Sequence, residues 1–276
     1  MARIDPQYLP TARGARFVAT WLPDAGSPDA SILVVPPFAE ELNKCRRMLA
    51  LTGMALADLG WRVCLPDLGG TGDSEGAFAR ARVADWVDDL ADAAAGCAAA
   101  GAPVRTVLAV RLGAALACLA LPRLSGVGRL VLWQGVASGQ QHLAQFLRLR
   151  VAGNIVGGGG AAAVTVGSLR AELAAGQTLE VAGYDLGPGL AADLDALRFA
   201  PPAGHALPAL WWLEVSGADP PAVGPVASGQ VEAWRQQGGT ASAEACAGDP
   251  FWSTVEITTA RGLVERTLLA IGAARA

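Results

Sequence analysis

Two stretches concentrate the residues able to do chemistry. In PPFAEELNKCRRM (36–48) the carboxylates Glu40 and Glu41 are followed at once by Asn43, Lys44, Cys45, Arg46 and Arg47. Carboxylates crowded by cations suit a general base or a buried ionic network. A thiol flanked by Lys44 and Arg46 near a helix start is a candidate nucleophile, because cations and a helix N-terminus lower a thiol pKa; an inert Cys45 facing a helix partner is the plainer alternative. The second stretch is AVRLG (109–113), where Arg111 joins an apolar run to a small-residue run. A guanidinium offers only donors and stays protonated, so Arg111 can neither attack a carbonyl nor accept a proton. It can hold a carboxylate or phosphate at a helix N-terminus, or pair with Glu40 or Glu41.

The elements that must position these residues follow from periodicity. SILVVPP (31–37), WRVCLP (61–66), VRTVLAV (104–110) and RLVLWQG (129–135) are short apolar runs rich in β-branched residues, the pattern of buried parallel strands. Helix-like segments alternate with them: one capped by Asn43 and reaching Leu59, with Met48, Leu51, Ala55 and Leu59 on one face; a second over 80–100; a third over 111–121. On this reading Lys44, Arg46, Arg47 and Arg111 open helices, where the macrodipole disfavours cations by about 0.3–1 kcal/mol each, so anions are expected beside them. The β-α alternation predicts an α/β fold, a doubly wound, mostly parallel sheet.

From about residue 138 the rhythm changes to an amphipathic segment, the low-complexity run GGGGAAA (157–163), expected to be mobile, and short helix and turn elements. The β-α pattern returns with LPALWWLEVSGAD, a helix near 226–237, a strand near 241–247 and a last helix near 258–271. We therefore expect a core of 1–137 and 205–276 interrupted by a helical cap, 138–204.

Composition limits the function classes. The chain of 276 residues is 52% hydrophobic and 17% charged, which fits a large buried core and not disorder. A net charge of −4 with scattered basic residues gives no footprint for nucleic acid or anionic lipid. Lys44 is the only lysine against twenty arginines, a bias that suggests a GC-rich bacterial genome. The cysteines at 45, 64, 97, 118 and 246 form no C-x-x-C pair, so neither a zinc site nor a disulfide framework is indicated, no metal or other cofactor is expected, and a reducing cytoplasm fits best. The start of the chain lacks a signal-peptide core, and its apolar runs are too broken to span a bilayer.

The strand, small-residue turn and helix at LAVRLGAALA, preceded by the loop DLGGTGDSEG and the strand SILVVPPF, resemble the nucleophile elbow and glycine-rich loop of α/β-hydrolases. More specifically, PPFAEELNKCRRM, the RLGA elbow, VAGYDLGPGL and DPFWSTVEI resemble the exosortase A system-associated hydrolase 2 family. That resemblance implies an α/β-hydrolase fold and a bacterial context of exosortase, PEP-CTERM proteins and exopolysaccharide synthesis, without fixing a substrate. The α/β-hydrolase resemblance also implies site positions. The backbone amides of Phe38 or Ala39 and of Leu112 map to the oxyanion hole, Asp219 to the triad acid, and Trp252 and Glu256 to the loop that should carry the histidine. Arg111 then stands where the nucleophile belongs. The histidines, His142 and His205, fall in or beside the cap, so a Ser-His-Asp triad is absent. Asp67, Asp73 and Ser74 are expected to make turn hydrogen bonds. Two readings stay open: an acyl or ester hydrolase working through Glu41, Arg111 and Cys45, or a non-catalytic protein that binds an anionic small molecule at Arg111.

Overall fold

The computed structural model describes residues 2–156 and 164–272, so the run 157–163 lies outside the described residues. The chain opens on a hairpin of β1 (Arg3–Thr11) and β2 (Gly14–Leu22), paired antiparallel down to Thr11 and Gly14. Sequence reading missed this hairpin. Its outer strand is largely exposed and carries Pro6 and Pro10, which only an edge strand tolerates, so it shows no buried run. The alternating part follows: β3 (Ser31–Val35), α1 (Glu40–Asp58), β4 (Arg62–Pro66), α2 (Val83–Ala99), β5 (Val104–Val110), α3 (Gly113–Ala120) and β6 (Arg129–Trp133). Next come α4 (Gly139–Val156), α5 (Val166–Ala174), the two-stranded ribbon β7 (Leu179–Val181) and β8 (Tyr184–Leu186), and α6 (Pro188–Ala196). The chain then closes with β9 (Ala209–Ser216), α7 (Pro225–Gln236), β10 (Ala241–Ala247) and α8 (Arg261–Gly272).

The main sheet has the order β1-β2-β4-β3-β5-β6-β9-β10; it is parallel from β4 to β10, with β2 antiparallel to β4. Every residue of β3 is buried, as a strand covered on both faces requires. One face packs Trp86 and Leu90 of α2, α3, and Val231 and Trp234 of α7; the other packs Met48 and Leu56 of α1 with Leu263 and Ile271 of α8. The elements from α4 to α6 pack on one another and reach the core through the single helical turn at Phe78–Arg80 and through α2.

The topology fixes where a site can lie. From β3 the chain moves to β4 on one side and then crosses to β5 on the other, so the strand order reverses between β3 and β5, and the carboxyl ends of such a pair border a crevice. Val35 pairs with Ala109, so the two strands end in step, and their next residues form the 36–41 loop and the Arg111 turn. Gly113 holds these together: a Cβ there would lie 2.6 Å from the carbonyl oxygen of Val35 and 2.7 Å from that of Pro36. Those are backbone atoms that cannot swing aside, so glycine is required where α3 begins.

Helix α1 corrects the sequence reading. It begins at Glu40, not after Asn43, and its N-cap is Ala39 at φ 51° with no side-chain cap. Glu40 and Glu41 therefore occupy the first turn, where the dipole favours them, and Lys44, Arg46 and Arg47 sit beyond it. The buried face runs through Leu42, Cys45, Met48, Leu49, Leu56 and Ala57; Leu51 and Ala55 are half-buried and Leu59 is exposed. Met48 alone of the four expected residues lies on the buried face; the stripe runs one residue away from Leu51, Ala55 and Leu59, through Leu49, Thr52, Leu56 and Ala57.

Candidate functional site

Arg111 sits on the turn between β5 and α3 at φ 55°, left-handed backbone that costs a non-glycine residue on the order of 1–3 kcal/mol. The turn is held by its own amide donating to the Trp133 carbonyl (2.9 Å) and by its carbonyl accepting from Ala114 (3.0 Å) and Val136 (3.1 Å). The guanidinium is equally fixed. Nε and Nη2 each lie 3.1 Å from Glu41 Oε1, Nη1 donates to the Gln134 carbonyl at 3.3 Å, and the group sits 4.8 Å above the Trp252 ring. With side-chain exposures of 13% and 9%, Arg111 and Glu41 form a buried pair, for which desolvation offsets much of the attraction.

Glu41 has unspent capacity. Its Oε2 is buried without a hydrogen-bond partner and lies 3.9 Å from His142 Nε2, beyond hydrogen-bond reach. Burial pushes the Glu41 carboxyl up to about 7; Arg111 pulls the other way, and neighbouring Glu40 adds to the rise. Burial, with Arg111 close by, drives His142 down to about 3, so the imidazole is neutral at physiological pH and the contact is not an ion pair. His142 Nδ1 is also buried without a partner. Glu40 is raised by burial, opposed by its own amide and then by Lys44 and Arg111, and its Oε2 is likewise unpartnered.

His142 is the residue sequence reasoning set aside. It lies in the first turn of α4, which brings it to the core site beside Glu41. Its ring meets Phe38 edge-on at 5.7 Å, and Phe38 is also packed by Phe146 (5.0 Å), Phe78 (5.7 Å) and Trp86 (6.1 Å). This aromatic hub joins the 36–41 loop, α2 and α4 around Glu41. The expected position of a histidine after the last strand drew attention away from it.

Beside the hub is a cavity of ≈ 70 Å³ whose lining includes Phe38, Ala39, Leu42, Leu68, Trp86, Leu116, Asn43, Arg46, Thr71, Gly72 and Tyr184. Its floor is apolar and its polar groups come from α1, the glycine-rich loop and β8. Asn43 Nδ2 donates to the Tyr184 hydroxyl at 3.4 Å, and Arg46 lies 3.8 Å from Asp67. Asp67 organises the glycine-rich loop: its Oδ2 accepts from the Asp73 amide (3.0 Å), and its carbonyl accepts from Ser74 Oγ (2.6 Å), whose oxygen in turn accepts from the Phe17 amide (2.8 Å). Gly72, at φ 51°, faces this carboxylate so closely that a Cβ would collide with it.

Other expected residues fall differently. Cys45 is wholly buried, and burial with Glu41 beside it raises its thiol well above the usual range, overriding Arg111 and Lys44; the lowered pKa expected from flanking cations is not there. Iodoacetamide applied to the native protein at mildly alkaline pH should leave Cys45 unmodified in a peptide mass map, whereas a reactive thiol would be alkylated. Lys44 is half-buried, Arg47 is exposed, and neither of Arg46 and Arg47 takes Glu41, whose partner is Arg111. Asp219 and Glu256 are exposed, so Glu256 adds no acid to the cavity. The buried acid of that strand is Glu214, which accepts from the Gly224 amide (2.7 Å) and Trp212 Nε1 (3.3 Å). Leu112 is buried at the start of α3 and Ala39 at the start of α1, where the resemblance maps the two amides. His205 is exposed.

Among the described residues no helix is long and apolar enough to cross a membrane, and no group of histidine, cysteine and acidic side chains is arranged to hold a metal ion. No family model and no curated protein sequence matches the chain. Solved structures do. Est1E from Butyrivibrio proteoclasticus with bound ferulic acid is similar at a TM-score of 0.63 and 14% identity, over 96% of this chain and 99% of that one. A Xanthomonas campestris α/β serine hydrolase without a lid is similar at 0.55 and 15%, over 97% and 94%. The esterase of Pyrobaculum calidifontis is similar at 0.54 and 15%, over 99% and 85%. With the sheet order, the left-handed turn after β5 and the helix packed directly behind it, these likenesses establish that the chain has the α/β-hydrolase fold.

Proposed function

We propose that the chain is an acyl or ester hydrolase in which Glu41 activates water directly, in place of a seryl nucleophile. The observation that carries this reading is the divided carboxylate: Arg111 holds Oε1, while buried Oε2 has no partner and faces a neutral imidazole. A carboxyl raised to about 7 is matched to general-base work near neutral pH, and the amides of Ala39 and Leu112 would receive the developing oxyanion. The cavity at Phe38 and Leu116 would take the acyl group. Esterases among the similar folds support an ester or acyl substrate, and the resemblance of PPFAEELNKCRRM and DPFWSTVEI to the exosortase A system-associated hydrolase 2 family supports a role beside exosortase and exopolysaccharide machinery in the bacterial cytoplasm.

Turnover of short p-nitrophenyl esters is the test. Activity should rise with pH through about 7 as Glu41 ionises, and Glu41→Gln should lower kcat by about 10²–10⁴-fold. A second reading, a binding protein with an anion-selective cavity, is favoured by one observation: the elbow carries a guanidinium and the neighbouring thiol is buried, so a covalent nucleophile is lacking there. Absence of turnover together with binding of a small carboxylate, lost in Arg46→Ala at the cavity rim, would select it.

A further inference from the structure

Far from any role assigned above, Cys64 in the middle of β4 and Cys97 in the last turn of α2 bring their sulfurs to 3.1 Å. Both are buried at 3% exposure, and Thr20 Oγ1 lies 3.7 Å from Cys64 Sγ. The Cys97 thiol donates to Cys64 Sγ across this gap. Since a disulfide bond is about 2.0 Å long, closing it asks for an approach of about 1 Å across an interface where a helix end meets a strand. We propose that Cys64 and Cys97 are a site of reversible oxidation, forming an intramolecular disulfide with a small peroxide as oxidant.

The step balances with hydrogen peroxide alone. One thiolate attacks a peroxide oxygen, the O–O bond breaks, and a sulfenic acid and water result after proton transfer. The second thiolate attacks that sulfur, the S–OH bond breaks, and a second water leaves. Two thiols are thus oxidised while one peroxide is reduced to two waters. Burial excludes bulky disulfides, which makes a small neutral oxidant the fitting reagent. The bond would also brace the cavity wall. Beyond Cys64 the chain enters the glycine-rich loop, and α2 grips that loop through Asp89, which accepts from the Gly69 amide at 2.8 Å, and Trp86, which donates to the Gly69 carbonyl at 3.0 Å.

The native full-length chain is treated with hydrogen peroxide, denatured, alkylated and digested without reduction. Mass spectrometry should find one cross-linked peptide pair, Cys64 to Cys97, lighter by two hydrogens than its parts and separated by dithiothreitol. Cys64→Ser and Cys97→Ser should each abolish it, and the variant that keeps the cysteine attacked first should hold that cysteine as a sulfenic acid trapped by dimedone, the other variant a free thiol. Two free thiols after peroxide, a sulfinic acid at either position with the other sulfur free, or a link to another cysteine would each overturn the proposal. The outcome is independent of whether Glu41 hydrolyses esters.

Discussion

Arg111→Leu is expected to destabilise the protein by about 3–5 kcal/mol, with Arg111→Leu/Glu41→Leu recovering most of that loss. The asymmetry comes from what each change leaves behind. Removing the guanidinium strands a carboxylate that is 9% exposed and already raised to about 7 by burial, against the pull of Arg111. Without that pull the Glu41 pKa climbs further. A group whose folded pKa lies above its unfolded value gives stability that is fully present below the unfolded value and is lost as pH rises through the folded one. The single variant should therefore be weakest at neutral and alkaline pH and recover towards acid. In the double variant neither charge remains, and leucines fill space beside Phe38 and Trp252. Urea unfolding of the four proteins in the cycle gives the coupling directly. Equal stabilities of single and double variants would mean that the pair is not the unit holding the turn.

How much of this was legible without coordinates depended on the range of the interaction. The strand at 104–110 and the small-residue turn at Arg111 were readable because a buried parallel strand leaves a continuous apolar run and a tight turn leaves glycine and alanine. The edge hairpin was not, because an exposed strand has no such pattern. The pairing of Arg111 with Glu41 could be anticipated from topology, since the loops after β3 and β5 are neighbours, but which carboxylate takes it depends on helix phase. With α1 starting at Glu40, Glu41 is helical and shares the buried face with Cys45, four residues on, which sets its carboxylate at the elbow. His142 was hidden for a different reason: the sequence between β6 and β9 does not say where α4 docks, and only docking against Phe38 sets the imidazole beside Glu41. The exposed positions of Asp219 and Glu256 likewise depend on loops whose path no periodicity constrains.

His142 and Glu41 make opposite contributions to acid stability, and the difference isolates the histidine. The imidazole falls from its ordinary 6.5 to about 3, so its stabilising contribution is complete above 6.5 and is lost as pH drops through about 3. Glu41 rises from 4.5 to about 7, so its contribution is complete below 4.5 and disappears as pH climbs through about 7. Between 4.5 and 6.5 the two slopes oppose each other and the pair is nearly neutral to pH. Below 4.5 only the histidine slope remains, since the unfolded chain binds a proton there that the folded one refuses; its limiting value is about 1.4 kcal/mol per pH unit. His142→Phe keeps an aromatic ring against Phe38 and removes that proton. The variant should lose stability less steeply than the wild type on acidification from pH 4.5 to 3, by up to about 1.4 kcal/mol per pH unit, in urea unfolding at matched ionic strength. Other carboxylates contribute equally to both proteins and cancel in the comparison. Parallel acid limbs would show that the imidazole reaches solvent and takes its proton at the ordinary pH, in which case α4 does not seal His142 over Glu41 and the unpartnered carboxylate oxygen has water for a neighbour.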